Sequence, residues 1–179
     1  MLKKSKFSLY NLSKPVKVKQ NIYFDNRGYF QEIFLKKKFN LNIKFTALAK
    51  SKKNVIRGLH FQIKNKQSKF LHILEGQILD VVINLRKGSK NFGKPQYFLL
   101  NEGDIIFIPD HFAHGYECIS KKCAVLYHLG KYRDPKNESG IKYNDSKLKI
   151  RWKTKKPILS SRDKSHQSFD EFQKKIKSL

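Results

Sequence analysis

The chain has 179 residues, 39% of them hydrophobic, with 14 Phe and 8 Tyr, which is the usual scale of one domain with a sizeable core. Its 39 Lys and Arg against 14 Asp and Glu give a formal charge of +25, so the surface attracts anions; all but six of the basic residues are Lys, scattered through nearly every loop, which weakens the case for a nucleic-acid footprint. No apolar run approaches the roughly 20 residues of a membrane-spanning helix, and with two cysteines, Cys118 and Cys123, and a Lys-studded start without an apolar export core, a cytoplasmic protein with free thiols is expected.

No internal repeat and no Ser, Gly or Pro-rich linker interrupts the chain, so one domain is expected over residues 1–179, with a core over about 22–165. Residues 31–39 form a short helical candidate. From residue 45 onward the apolar segments are short, rich in Val, Ile, Leu and Phe, and separated by turn signals: Gly76, Lys87-Gly88-Ser89, Asn101-Glu102-Gly103-Asp104 and Pro109-Asp110. Strands are expected at 69–75, 77–85, 96–100, 104–108 and 123–129. Such close spacing predicts a mainly β fold, a sandwich or barrel with short peripheral helices. The last helical candidate is 168–179, where Ser168 and Glu171 stand at capping-box spacing ahead of Phe172 and Ile176.

Three stretches carry chemistry. Val55-Ile56-Arg57-Gly58-Leu59-His60-Phe61-Gln62 sets a cation and an imidazole three residues apart around a glycine that permits a bend or a close approach. Ile108-Pro109-Asp110-His111-Phe112-Ala113-His114-Gly115 adds a second imidazole beside a turn, and Tyr127 lies in an apolar strand. Each alone has an ordinary reading: an isolated strand His is more often a hydrogen-bonded core residue, and a buried Tyr usually packs its ring and ties down its hydroxyl. Taken together, Arg57, His60, Lys69, His114, Tyr127 and Asp163 form a set without a nucleophilic Ser or Cys, paired carboxylates or a glycine-rich phosphate loop. They suit proton transfer beside a ketone, which needs a base, a cation for the enolate oxygen and an acid for the return.

With these residues in view, the sequence resembles the dTDP-4-dehydrorhamnose 3,5-epimerase family. Its members carry a segment like Arg57 to Gln62, and further matches run in order through Asp25-Asn26-Arg27-Gly28-Tyr29-Phe30, Ile108 to Gly115, Glu138-Ser139-Gly140-Ile141, Tyr143-Asn144-Asp145 and Leu159-Ser160-Ser161-Arg162-Asp163. The resemblance implies a cupin-like, jelly-roll β-barrel in a homodimer, acting on a dTDP-4-keto-6-deoxyhexose without metal or organic cofactor. It implies His60 as base, Asp163 as the carboxylate that orients it, Lys69 as the cation near the enolate and Tyr127 as acid. By the same resemblance Arg27, Glu32, Arg57, His114, Glu138 and Arg162 contact substrate, and Tyr132 stacks near the nucleotide. One departure is plain: Phe45-Thr46-Ala47 stands where many members have Gln-x-Asn, so two side-chain amides are missing. Nucleotide identity, and inversion at C3, C5 or both, are left open by that change.

Two rival readings remain at this level. A metal-dependent cupin would draw ligands from His60, His72, Glu75 and His114, although His60-Phe61-Gln62 lacks the usual His-x-His pair. A non-enzymatic nucleic-acid binder would follow from the charge alone.

Overall fold

The computed structural model describes residue 9 and residues 12–177. Among these residues the strands are β1 (Val16–Val18), β2 (Ile22–Asp25), β3 (Gly28–Gln31), β4 (Phe45–Lys52), β5 (Ile56–Gln62), β6 (Lys69–Glu75), β7 (Gln77–Asn84), β8 (Pro95–Asn101), β9 (Ile105–Ile108), β10 (Phe112–Cys118), β11 (Lys122–Leu129) and β12 (Glu138–Gly140). The helices are short: α1 (Lys36–Phe39), α2 (Ser161–Lys164) and α3 (Phe169–Lys177). Of the expected single domain, residues 1–8, 10–11 and 178–179 lie outside the described residues.

Two five-stranded sheets form, in the orders β1-β9-β6-β11-β4 and β12-β5-β10-β7-β8, with β2 and β3 as a separate hairpin. Every paired neighbour is antiparallel. This is the mainly β architecture that the short, punctuated strands predict, in the cupin-like jelly-roll form that the family resemblance implies. The period-2 alternation of strands assigns the faces. Leu71, Ile73, Ile106, Ile108 and Val125 of the first sheet meet Ile78, Val82, Leu100, Phe112, Tyr116 and Cys118 of the second. The intervening residues Leu79, Val81, Ile83 and Ala113 face the other way and are covered by Phe169 and Phe172 of α3 and by Ile141 and Leu148. The middle of the second sheet is thus buried on both faces, which is why β7 reads as an almost continuous apolar run. Cys118 and Cys123 are buried free thiols.

The five expected strands are present within one or two residues of their predicted ends. The helix expected over 31–39 shrinks to the single turn α1. Gln31 pairs with Ile22 in the hairpin and its amide donates to the Gly103 carbonyl at 2.9 Å, while Leu35 is extended. Tertiary pairing there outweighs a weak local helical pattern. At the other end, the Glu171 N–H donates to Ser168 Oγ at 3.2 Å and the Ser168 N–H to Glu171 Oε2 at 2.6 Å, the reciprocal cap that the sequence announces.

Two buried carboxylates fasten the loops over the second sheet. Glu117 accepts from the Lys153 and Thr154 N–H groups at 2.6 and 2.8 Å. Asp145 accepts from the N–H groups of Lys147, Leu148 and Phe169 at 3.0, 3.1 and 2.7 Å, joining a loop to the start of α3. Removing it strands three donors, two of them buried, at Leu148 and Phe169. Asp145→Ala is therefore expected to lower unfolding free energy by about 2–3 kcal/mol, measured by urea denaturation; a loss under 0.5 kcal/mol would show that water replaces the carboxylate.

Candidate active site

The second sheet brings its chemistry together by register. His60 on β5 pairs with His114 on β10 on one side and with Gly140 on β12 on the other. The β5–β10 pairing shifts register between His114 and Tyr116, where two glycines cross. Gly58 has a φ of +125°, and a Cβ there would stand 2.5 Å from Gly115 Cα; a Cβ on Gly115 would stand 2.6 Å from the Arg57 carbonyl oxygen. Neither position has room for a side chain, and the crossing fixes how Arg57 and His60, on either side of Gly58, leave the strand.

A cavity of about 270 Å³ takes its lining from both sheets. Arg57, His60, Gln62, His114 and Glu138 come from the second, and Phe45, Ala47, Ala49, Lys69, Tyr127 and Leu129 from the first. His60 and Tyr127 therefore belong to opposite walls. Of the six residues grouped by the sequence, Arg57, His60, Lys69, His114 and Tyr127 line this one space. Asp163 stands one layer behind, its Oδ1 accepting from His60 Nε2 at 2.6 Å.

Asp163 is well held. It lies in α2, whose N-cap Ser160 donates to Asp163 Oδ2 at 2.7 Å and accepts from the Asp163 N–H at 3.1 Å. Burial pushes the Asp163 carboxyl up, but the His166 imidazole close beside it and the hydrogen bonds from His60 and Ser160 override it and hold the group far below the usual carboxylate range. His60 moves the same way for the opposite reason. Desolvation lowers its pKa below the ordinary 6.5, against the pull of Asp163, and His166 and His114 lower it further. Neutral His60, with Nε2–H committed to Asp163, keeps Nδ1 as the nitrogen able to accept a proton.

The opposite wall holds the remaining chemistry. Lys69 is only 8% exposed, and burial lowers its pKa from 10.5 to about 8 despite the attraction of Glu138, Asp80 and Asp110. Burial raises the Tyr127 phenol well above its usual 10, so the hydroxyl keeps its proton. The Tyr127 ring meets the edge of His114, centroids 6.1 Å apart, and His114 Nε2 pairs with the fully buried Asp80 at 2.6 Å. Arg57 Nε donates to Ser51 Oγ at 3.0 Å, and Ser51 in turn shares a 2.9 Å hydrogen bond with Tyr116.

At the rim, Glu138 joins Arg133 (2.7 Å) and Arg162 (3.0 Å). Burial works against its ionisation, but the two guanidinium groups hold its pKa below normal. Tyr132, 68% exposed, stacks on Phe45 with centroids 6.2 Å apart. Phe45 and Ala47 both line the cavity, while Thr46 faces away and bonds His128 Nδ1 at 3.0 Å, so the Phe45-Thr46-Ala47 departure falls on the cavity wall. Arg27 and Glu32 do not line the cavity of their own chain: Arg27 pairs with Asp25 at 2.6 Å on the β2–β3 turn, and Glu32 follows β3.

Gln62, Gln67, Arg133, Ser160, His166 and Asp80 are part of this arrangement and were not singled out by sequence. The alternative metal set does not converge, since His72 bonds Gln31 and Glu75 pairs with Lys122, neither lining the cavity with His60 and His114.

A buried charged lysine costs stability. With a folded pKa of about 8 against 10.5 unfolded, the folded state gives up its proton first, so stability increases as pH rises from 8 to 10.5 and the cost of about 3 kcal/mol is fully present below 8. Lys69→Met is expected to be more stable than the parent at pH 7 by up to that amount, with the advantage shrinking above pH 8. Urea midpoints across pH 6–10 would test this; a variant less stable at pH 7 would mean that the ammonium is fully compensated.

The sequence pattern of the dTDP-4-dehydrorhamnose 3,5-epimerase family matches residues 10–171. The chain is 33% identical over 154 residues to the dTDP-4-dehydrorhamnose 3,5-epimerase of Methanothermobacter thermautotrophicus, covering 82% of this chain and 83% of that one. Among solved structures, a 4-keto-6-deoxy sugar epimerase from the novobiocin biosynthetic gene cluster of Streptomyces spheroides superposes with a TM-score of 0.87 at 26% identity, over 92% of this chain and 87% of that one. The dTDP-6-deoxy-D-glucose-3,5-epimerase of Legionella pneumophila, in complex with dTDP-4-keto-L-rhamnose, gives a TM-score of 0.82 at 29% identity, over 89% and 90%.

Proposed function

The chain belongs to the dTDP-4-dehydrorhamnose 3,5-epimerase family, and from that premise we propose that it is an isomerase inverting C3, C5 or both of a dTDP-4-keto-6-deoxyhexose, inversion at both converting dTDP-4-dehydro-6-deoxyglucose to dTDP-4-dehydrorhamnose. The observation that carries the mechanism is that His60 and Tyr127 come from opposite sheets to line one cavity. His60, neutral and tied to Asp163 through Nε2, removes a proton from carbon next to the ketone with Nδ1. The charge reaching the ketone oxygen is met by Lys69, desolvated where an ionic contact is worth most. Tyr127, its phenol kept protonated by burial, returns a proton to the opposite face, so configuration inverts. Arg57 and the Glu138-held Arg133 and Arg162 supply cations for the diphosphate.

Each residue then has a separable task. His60→Ala is expected to abolish both solvent-deuterium exchange and inversion of the keto sugar, followed by NMR in deuterated water. Tyr127→Phe leaves base and cation in place, so deuterium enters faster than the centre inverts. Inversion at the parental rate in Tyr127→Phe would move the acid role to another group.

The same reading includes a homodimer. The β2–β3 hairpin exposes Phe24 (75%) and Phe30 (65%) with Tyr23 and Tyr29, an apolar display that favours a cover. Arg27 and Glu32, absent from their own chain's cavity, reach substrate if a second copy brings its hairpin there. Mixing inactive Arg27→Ala with inactive His60→Ala should restore about a quarter of parental activity after subunit exchange, since each mixed pair rebuilds one intact site. No recovery, with mixed dimers demonstrated, would keep Arg27 within its own subunit.

A further inference from the structure

The contact between β5 and α2 contains a third titratable side chain to which the proposed reaction gives no role. His166, two residues past α2, is 8% exposed and stands edge-on to His60, with ring centroids 5.2 Å apart at 82°. Its Nε2 lies 3.3 Å from Asp163 Oδ1, the oxygen that already accepts from His60. The approach is out of line for a hydrogen bond, and this buried nitrogen has no other partner. Leaving it so costs about 1–3 kcal/mol. The ring is nevertheless closely fitted: Gly140, the β12 residue paired with His60, is bare where a Cβ would run into the His166 imidazole.

One ligand atom from each of His60, Asp163 and His166 lies within 4.8 Å of the others, and the atoms that meet at Asp163 Oδ1 are His60 Nε2 and His166 Nε2. We propose that these three atoms are a site for a divalent transition-metal ion of the zinc class, and that occupancy switches the epimerase off. Two imidazoles and one carboxylate are donors that zinc accepts in tetrahedral sites, with a fourth position open. Ligand bonds of about 2.0–2.1 Å at tetrahedral angles place donor atoms roughly 3.3 Å apart. The His166–Asp163 pair already has that separation, and the His60–Asp163 pair reaches it by exchanging its 2.6 Å hydrogen bond for two bonds to the ion. Arg162 beside the site is paired with Glu138, so no free guanidinium opposes the incoming charge from that side.

The effect on chemistry follows from the proton count of a neutral imidazole, which carries one N–H. Without metal that proton is on Nε2, shared with Asp163, and the Nδ1 lone pair is free. With an ion on Nε2 the proton resides on Nδ1, and the nitrogen that must take the substrate proton has no lone pair to offer. The ion itself binds whatever His60 does; the inhibition rests on the reading of His60 as base.

The experiment uses the full chain, stripped with chelator, and three proteins: parent, His166→Gln and Gly140→Ala. The last retains all three donors and displaces only the His166 ring, so it answers even if His166→Gln fails to fold. Zn2+ binding is measured by equilibrium dialysis, and epimerisation with and without Zn2+ is compared within each protein, with Mg2+ as an oxygen-preferring control. The parent is expected to bind one Zn2+ per chain and to lose at least 90% of its activity, restored by chelator. Both variants bind at least about tenfold more weakly, and Mg2+ has no effect. Absence of one-to-one binding, or equal affinity in parent and variants, overturns the site. One-to-one binding with activity intact overturns the inhibition alone, and binding that raises activity overturns the metal-free reading of the reaction while the site stands.

Discussion

The 2.6 Å hydrogen bond between His60 Nε2 and Asp163 Oδ1 closes a loop of about one hundred residues, and most of the site is arranged to keep it closed. Asp163 lies on a one-turn helix that is not stable by itself. Its cap, Ser160, bonds the same carboxylate from the other oxygen; Arg162 anchors the turn to Glu138; the Asp145 carboxylate fastens the segment beyond it. One carboxylate thus receives orientation from several weak sources, and passes it to an imidazole that lines the cavity.

Electrostatics divides the molecule into two regimes. Its large net charge is carried by exposed lysines in water, where each contributes little beyond attraction of anions at a distance. Inside the cavity, a few ionisable groups are shifted strongly, and their shifts complement one another: a neutral His60, a protonated Tyr127 and a Lys69 poised near pH 8. The amide-free wall of Phe45 and Ala47 gives that space a low dielectric on one side, which strengthens the remaining polar contacts.

Much of this was legible in the sequence because strands announce themselves by alternation and by turn residues between them. The helix expected over 31–39 survives only as α1 because Gln31 is claimed by the hairpin and by Gly103, contacts that are invisible in local pattern. Asp80 was readable only as a blemish in an apolar strand, although a lone carboxylate amid Ile, Leu and Val is itself a sign of a buried partner, here His114. His166 left no such trace. Its three-residue offset from Asp163 acquires meaning only once α2 turns and Gly140 makes room. Arg133 was one cation among 39, and only the fold distinguishes it by setting it on Glu138.

The buried Lys69 has one more consequence. An amine that is about half unprotonated at pH 8 is a nucleophile, whereas an ordinary surface lysine at that pH keeps its lone pair occupied by a proton. Electrophiles would therefore sort the lysines of this chain by size as much as by reactivity. Bulky reagents meet the solvated lysines at the surface, while a reagent of a few atoms that fits the cavity finds in Lys69 an amine already prepared to react.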